Sequence, residues 1–214
     1  MAHLLVIGAS SGIELATVKR ALIGGHRVRA LARSAARIAL DDVRLEKMPG
    51  DATSGTDVAR ALAGTDAVIE CLGVPAGPEM ILRGTTLFSR ATRILVDAMT
   101  ANGPHRLIAV TGLGAGDSRG HGGLFYDKVF FPLVLKRVYD DKDVQEMMIR
   151  RSGLDWTLVR PGVLTNGAAT GAYHVLAEPK DWRGGSISRA DVADFLVREA
   201  ESGHYRSRTP VLVA

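Results

Sequence analysis

Leu4–Ile7 is an unbroken apolar run, whereas in the stretch after it, Gly12–Ile23, the apolar residues fall three and four apart. The first pattern predicts a buried strand. The second predicts a helix with one apolar face, ended by Gly24 and Gly25. The same alternation recurs. Strands are predicted at Arg27–Leu31, more weakly at Val43–Met48, and at Ala67–Leu72, Arg106–Val110 and Trp156–Arg160. Helices are predicted at Asp57–Ala63, Leu82–Ala101 and Lys136–Ser152. The tail adds a strand near Tyr173–Ala177, a helix at Arg189–Glu201 and a last strand at Val211–Val213. Strands separated by helices predict an α/β fold, a doubly wound parallel sheet covered on both faces and built as a single domain.

In such sheets ligands bind beyond the carboxyl ends of the strands, where the strand order reverses. The loops that follow the strands therefore carry the candidate chemistry. The first is GASSG. Gly8 permits a tight turn, and Ser10, Ser11, Gly12 and Ile13 offer N–H groups and hydroxyls to a phosphate at a helix N-terminus. A plain strand-to-helix turn reads the same way. Glu14 stands where a further glycine is usual for this turn. Ser11-Gly12-Ile13-Glu14 fits the S-x-x-E capping box, which supplies a structural reason for the acid. Repulsion of a phosphate is the other consequence to expect of it. GASSG also fits G-x-S-x-G, and Asp191 and His204 follow in hydrolase order. That elbow, however, needs a sheet built before it, and only seven residues precede Gly8.

The second loop begins with Arg33 and Ser34, with Arg37 one turn on. An acid there would hold a ribose 2′-hydroxyl. A guanidinium suits a 2′-phosphate instead, which favours NADP over NAD. In the third loop, GDAT, Asp51 and Ala52 sit where an adenine ring would lie. Leu72 and Gly73 end the fourth strand, where a glycine lets a ligand pass close to the backbone. Thr111 opens the glycine-rich fifth loop and is placed to offer a hydroxyl near a nicotinamide.

Composition narrows the function classes. The chain has 214 residues, 46% hydrophobic and 23% charged, as is ordinary for a globular domain. Its 27 basic and 23 acidic side chains leave +4, and the basic ones are scattered, which argues against a nucleic-acid surface. No run approaches the ~20 apolar residues of a membrane span, and no leader pattern stands at the N-terminus. A lone cysteine, Cys71, precludes an internal disulfide and fits the cytoplasm. The six histidines lack paired ligand spacing, so no metal is expected.

The pieces VIGASSGIELATV, ALAR, GDAT, DAVIECLG, LIAVTG, DDKDVQEMMIRRSGLDWTLVRPGVLTNG, TGAYHV and ISRADVADFLV occur in order along nearly the whole chain. Together they resemble the atypical short-chain dehydrogenases/reductases of the NAD(P)H-binding, NmrA-like group, nearest to the flavin reductase/biliverdin-IXβ reductase type. The resemblance implies one Rossmann-like domain over 1–214, with a small substrate-side region at about 162–214. It implies NADPH as cofactor, with contacts extending to Thr111, Gly112, Lys142 and Pro161. It implies hydride transfer to a small acceptor, a flavin or quinone among them, by a monomer or homodimer. The alternative it implies is a redox sensor that holds NADP(H) without turnover.

Three departures stand out. Ser11 and Glu14 replace glycines of the group's G-x-x-G-x-x-G. The Tyr-x-x-x-Lys pair of the wider family falls on Val138 and Lys142; Tyr139 is one position off and is expected to face elsewhere. Serine and histidine of the flavin reductase pocket fall on Gly112 and Gly162. Lys142 and Thr111 remain as candidate catalytic groups: Lys142 to hold ribose hydroxyls or donate a proton, Thr111 to orient the nicotinamide side. An exposed lysine pairing with Glu146 at i+4 is the other expectation for Lys142.

Overall fold

The computed structural model describes residues 1–8, 12–74, 77, 84–123 and 126–214. Its main sheet has eight strands: β1 (His3–Ile7), β2 (Arg27–Ala32), β3 (Leu45–Pro49), β4 (Ala67–Glu70), β5 (Arg106–Val110), β6 (Asp155–Pro161), β8 (His174–Leu176) and β10 (Val211–Val213). Their order is β3-β2-β1-β4-β5-β6-β10-β8. All neighbours pair in parallel except the edge strand β8, which runs antiparallel to β10. β7 (Val163–Thr165) and β9 (Ser186–Ser188) form a separate two-stranded parallel sheet that periodicity does not reveal, three residues being too short to show it.

Among the described residues five helices cover the sheet: α1 (Gly12–Ile23), α2 (Gly55–Leu62), α3 (Leu87–Asn102), α4 (Lys136–Arg151) and α5 (Arg189–Ser202). A π-helical stretch, Tyr126–Leu135, leads into α4. α1 packs on α5 over one face, and α3 packs on α2 and α4 over the other. Each face has its own apolar cluster. Leu4, Val6, Val18 and Phe195 lie on the α1–α5 side, and Leu5, Ile7, Leu95 and Ile149 on the opposite side. Strands buried on both faces explain why β1 and β5 read as continuous apolar runs.

The strand order places a switch point between β1 and β4. After β1 the chain moves outward to β2 and β3, then returns to β4 on the other side. Gly8 after β1 and Cys71 after β4 face each other there, and the Cys71 N–H donates to the Ile7 carbonyl.

Some boundaries differ from expectation. β3 runs over Leu45–Pro49, and β4 stops at Glu70. The helix expected from Leu82 has residues 82 and 83 outside the described set, and the described helix begins at Leu87. Gly84 has a left-handed φ of 69°, and it and residues 85–86 stand outside the helix. The start of α3 is held from afar: the Asp141 carboxylate on α4 accepts from the Phe88 and Ser89 N–H groups.

Candidate active site

A cleft crosses the carboxyl ends of the parallel strands and has two lobes. The first, about 520 Å³, is walled by Arg33 and Ser34 after β2, Asp51 and Ala52 after β3, and Arg90 of α3. The second, about 650 Å³, is walled by Ile13 of α1, Thr111 after β5, Tyr139 and Lys142 of α4, Pro161 of β6 and Arg189 of α5. The lobes share Glu14, Arg33, Leu72, Gly73 and Val74. Glu14 and Gly73 lie where an elongated ligand would cross from one lobe to the other.

Glycines make the floor at that crossing. Gly8 has φ 95°, and a Cβ on it would stand 3.0 Å from the Cys71 carbonyl oxygen. Gly12 has φ 64°, and a Cβ there would stand 2.7 Å from Glu14 Oε2. Glycine at these positions lets backbone approach a ligand. Ser10 and Ser11 lie outside the described residues, and so does the Ser11 half of the capping pair.

Glu14 is 9% exposed, at the first turn of α1. Burial pushes its carboxyl up to about 7, against a hydrogen bond from its own N–H and the nearby charges of Arg189 and Lys142.

In the first lobe, Asp51 is held below the usual carboxylate range. Its Oδ1 accepts from the Thr53 N–H and hydroxyl, each at 2.8 Å, and Arg33 and Arg90 add positive potential. Arg33 is exposed at the lobe's mouth. Arg90 faces the same lobe from α3, and nothing local in the sequence marks it. Arg37 falls in a short 3₁₀ turn and does not line either lobe.

In the second lobe, the Lys142 ammonium donates to the Thr111 carbonyl and lies 4.7 Å from the Phe88 ring centre. Desolvation lowers it to about 8, against the pull of Glu146, Glu70, Glu14 and Asp141. Lys142 is not a solvated lysine paired with Glu146. Glu146 is 2% exposed and is taken by Arg160, fully buried, at 2.9 Å (Nε) and 2.5 Å (Nη2). The Thr111 hydroxyl donates to Glu146 Oε1 at 2.8 Å, so its proton points inward, away from the lobe. Behind Lys142, Glu70 accepts from Thr92 at 2.9 Å and Gln145 at 3.1 Å, and burial pushes it up to about 7. The Cys71 thiol is buried and pushed up in the same way, as suits a core residue.

Tyr139 corrects the sequence expectation. It faces the second lobe after all, and its ring centre is 5.7 Å from the Lys142 ammonium. Gly112, at φ 150°, carries no side chain and the Tyr139 hydroxyl sits against it, while the Phe131 ring fills the space over Gly114, at φ 107°. The lobe is wide enough for both Val138 and Tyr139 to line it. Gly112 itself is a buried seat for Tyr139 rather than part of the wall.

The hydrolase order does not assemble. Ser188 caps α5, and Asp191 in its first turn accepts from the Thr170 N–H (2.8 Å), the Gly171 N–H (2.9 Å) and the Ser188 hydroxyl. His204 lies beyond the opposite end of that helix, about 20 Å away at 1.5 Å per residue.

A family model described as NAD(P)H-binding matches residues 8–202. An uncharacterized chloroplastic protein of Arabidopsis thaliana is 31% identical over 203 residues, covering 90% of this chain and 69% of the relative. Among solved structures, ChuY of Escherichia coli O157:H7, named an anaerobillin reductase, is 27% identical with a TM-score of 0.76, over 99% of this chain and 96% of that one. A candidate NADH-flavin reductase of Streptococcus pneumoniae is 25% identical with a TM-score of 0.76, over 100% of this chain and 99% of that one.

Proposed function

The chain belongs to the NAD(P)H-binding family, among the atypical short-chain dehydrogenases/reductases, and from that premise we propose that it is an NADPH-dependent reductase of a small planar acceptor such as a flavin or quinone. The observation that carries this is the two-lobed cleft with its glycine floor at the strand switch point. The names of the Escherichia coli and Streptococcus pneumoniae proteins support a reductase and a flavin-like acceptor.

The residues present fit a nicotinamide dinucleotide. The Arg33 lobe takes the adenosine end, with Ser34, Asp51 and Ala52 around it. The Gly8–Gly12–Gly73 floor takes the pyrophosphate, and the Lys142 lobe takes the nicotinamide end, against Ile13, Thr111 and Pro161. Bound there, the reduced nicotinamide supplies hydride, which is the cofactor's own chemistry.

This chain's part is to align and to shield. Leu72, Val138, Pro161 and Leu164 give the second lobe apolar walls that exclude water and bed a flat ring. Lys142, held by the Thr111 carbonyl, presents its ammonium to ribose hydroxyls and is placed to give a proton to the reduced acceptor. Glu146 and Arg160 fix Thr111 from below, so Thr111 acts as a positioning residue through its carbonyl. We place the protein in the cytoplasm as a monomer or homodimer.

A second reading has one observation in its favour. Tyr139 stands in the same lobe as Lys142, so a carbonyl substrate would meet a phenol beside an ammonium. The test is NADPH oxidation with a free flavin, a benzoquinone and a simple ketone. Fast turnover of flavin or quinone, unaffected by Tyr139→Phe, is the expected result. Ketone turnover abolished by Tyr139→Phe would establish Tyr139 as the acid and replace the first reading. Tight NADPH binding with no turnover of any acceptor would leave a redox sensor.

A further inference from the structure

Resting on the dinucleotide reading above, we propose that Glu14 meets the pyrophosphate as a neutral carboxylic acid, so that binding the nicotinamide dinucleotide takes up a proton from solvent.

Among the described residues, Glu14 lines both lobes where they meet. Glu14 Oε2 lies 2.7 Å from the place of a Cβ on Gly12 and Oε1 lies 3.3 Å from that on Gly73. Its Cγ lies 3.2 Å from that on Gly8. These are the three backbone positions that floor the crossing between the lobes. The carboxyl is therefore in the cradle itself. An ionised carboxylate there would face the two negative charges of a pyrophosphate at hydrogen-bond range. A carboxylic acid would instead donate its O–H to a phosphoryl oxygen, a short charge-assisted bond.

The groups around Glu14 come from every neighbouring element. Lys142 of α4 and Arg189 of α5 act on it as cations, and Arg33 after β2 lines both lobes. Cys71 after β4 feels the Glu14 charge and stays a thiol, pushed up by burial. Glu70 faces Lys142 from behind and shares its charge. Burial outweighs the two cations, and the Glu14 carboxyl titrates near 7 before any ligand arrives. A pyrophosphate adds negative charge and raises it further.

The sign follows. The complex holds its proton to a higher pH than the free protein, so dinucleotide affinity is level below about pH 7 and falls by up to about tenfold per pH unit above it. The step is a protonation alone: the carboxylate gains one proton from solvent, and no covalent bond to the ligand forms.

The test is titration calorimetry with NADH, whose phosphates do not titrate in this range, in buffers of different ionisation enthalpy. The wild-type protein should take up about half a proton at pH 7 and nearly one at about pH 8. Glu14→Gln keeps the shape and a donor but cannot ionise. It should lose that uptake and, at about pH 8.5, bind NADH roughly thirtyfold more tightly than wild type. Lys142 also titrates near 8, and the Glu14 charge is one of those holding its proton, so the difference in uptake is read at about pH 7, below the Lys142 range. Equal proton uptake and equal pH slopes in the two proteins would overturn the inference and leave the cofactor reading standing. Failure of both proteins to bind NADH and NADPH at any pH would overturn the cofactor reading as well. If Glu14→Gln does not fold, a wild-type uptake near zero at about pH 7 still overturns the proposal.

Discussion

Replacing Arg33 with alanine should cost NADPH affinity and spare NADH. β2 ends at Ala32, and residues 32–34 carry no acid that would take a ribose 2′-hydroxyl. Asp51, the carboxylate that feels Arg33 and Arg90, already has Oδ1 committed to the Thr53 N–H and hydroxyl. Arg33 and Arg90 both act on Asp51, so the lobe holds two guanidiniums near one acid. A charge-assisted hydrogen bond contributes about 1.5–3 kcal/mol, or roughly ten- to 150-fold in affinity. Arg33 is exposed and its field is screened, so the lower end of that range applies. Arg90 retains part of the attraction in the variant. The expected loss is therefore about tenfold for NADPH, with NADH changed less than about twofold.

The assay is fluorescence or calorimetric titration of each cofactor at one fixed ionic strength, repeated at higher salt. The NADPH advantage should shrink as salt rises, because an exposed ion pair is screened. Equal affinity of the unaltered protein for NADPH and NADH would refute the reasoning. So would an Arg33→Ala variant that weakens both cofactors alike, since that would mark a structural role for the side chain.

Two predictions concern stability. Glu146→Ala leaves fully buried Arg160 with only the half-exposed Asp117 as ionic partner, so it should destabilise by about 3–5 kcal/mol in urea unfolding; a loss below about 1 kcal/mol would mean the pair is not the buried clamp described. Glu70 is raised from 4.5 to about 7 in the folded protein, so the native state binds more protons than the unfolded one between those values, and stability falls as pH rises through that window. Glu70→Gln should remove its share, flattening the profile by up to about 3 kcal/mol between about pH 4.5 and 7, and an unchanged slope would contradict the burial of that acid.

What could be read from the sequence is what local spacing determines. β1, α1, β5 and β10 follow from apolar runs and helical periodicity, and for α1, β5 and β10 the predicted and observed bounds coincide. Arg33, Gly8 and Gly73 fall in loops whose place after a strand is itself a local signal. The features that escaped are made by contacts between distant segments. The α3 start is set by Asp141, more than fifty positions along, so the periodic pattern ran on past the true beginning. Arg90 and Arg189 reach the cleft only because α3 and α5 pack where they do. Motif register alone turns Tyr139 away from the site, whereas its direction depends on the room left by Gly112. Glu14 shows both limits at once. S-x-x-E gives a sufficient local account of an acid in the first turn, and it stops there. That the carboxyl is buried requires the β4 loop to approach with glycine at 73, and burial is what turns a surface acid into a group that titrates near neutrality. The substitution that looked like an obstacle to a phosphate therefore acquires a proton-dependent role only once the two halves of the sheet are brought together.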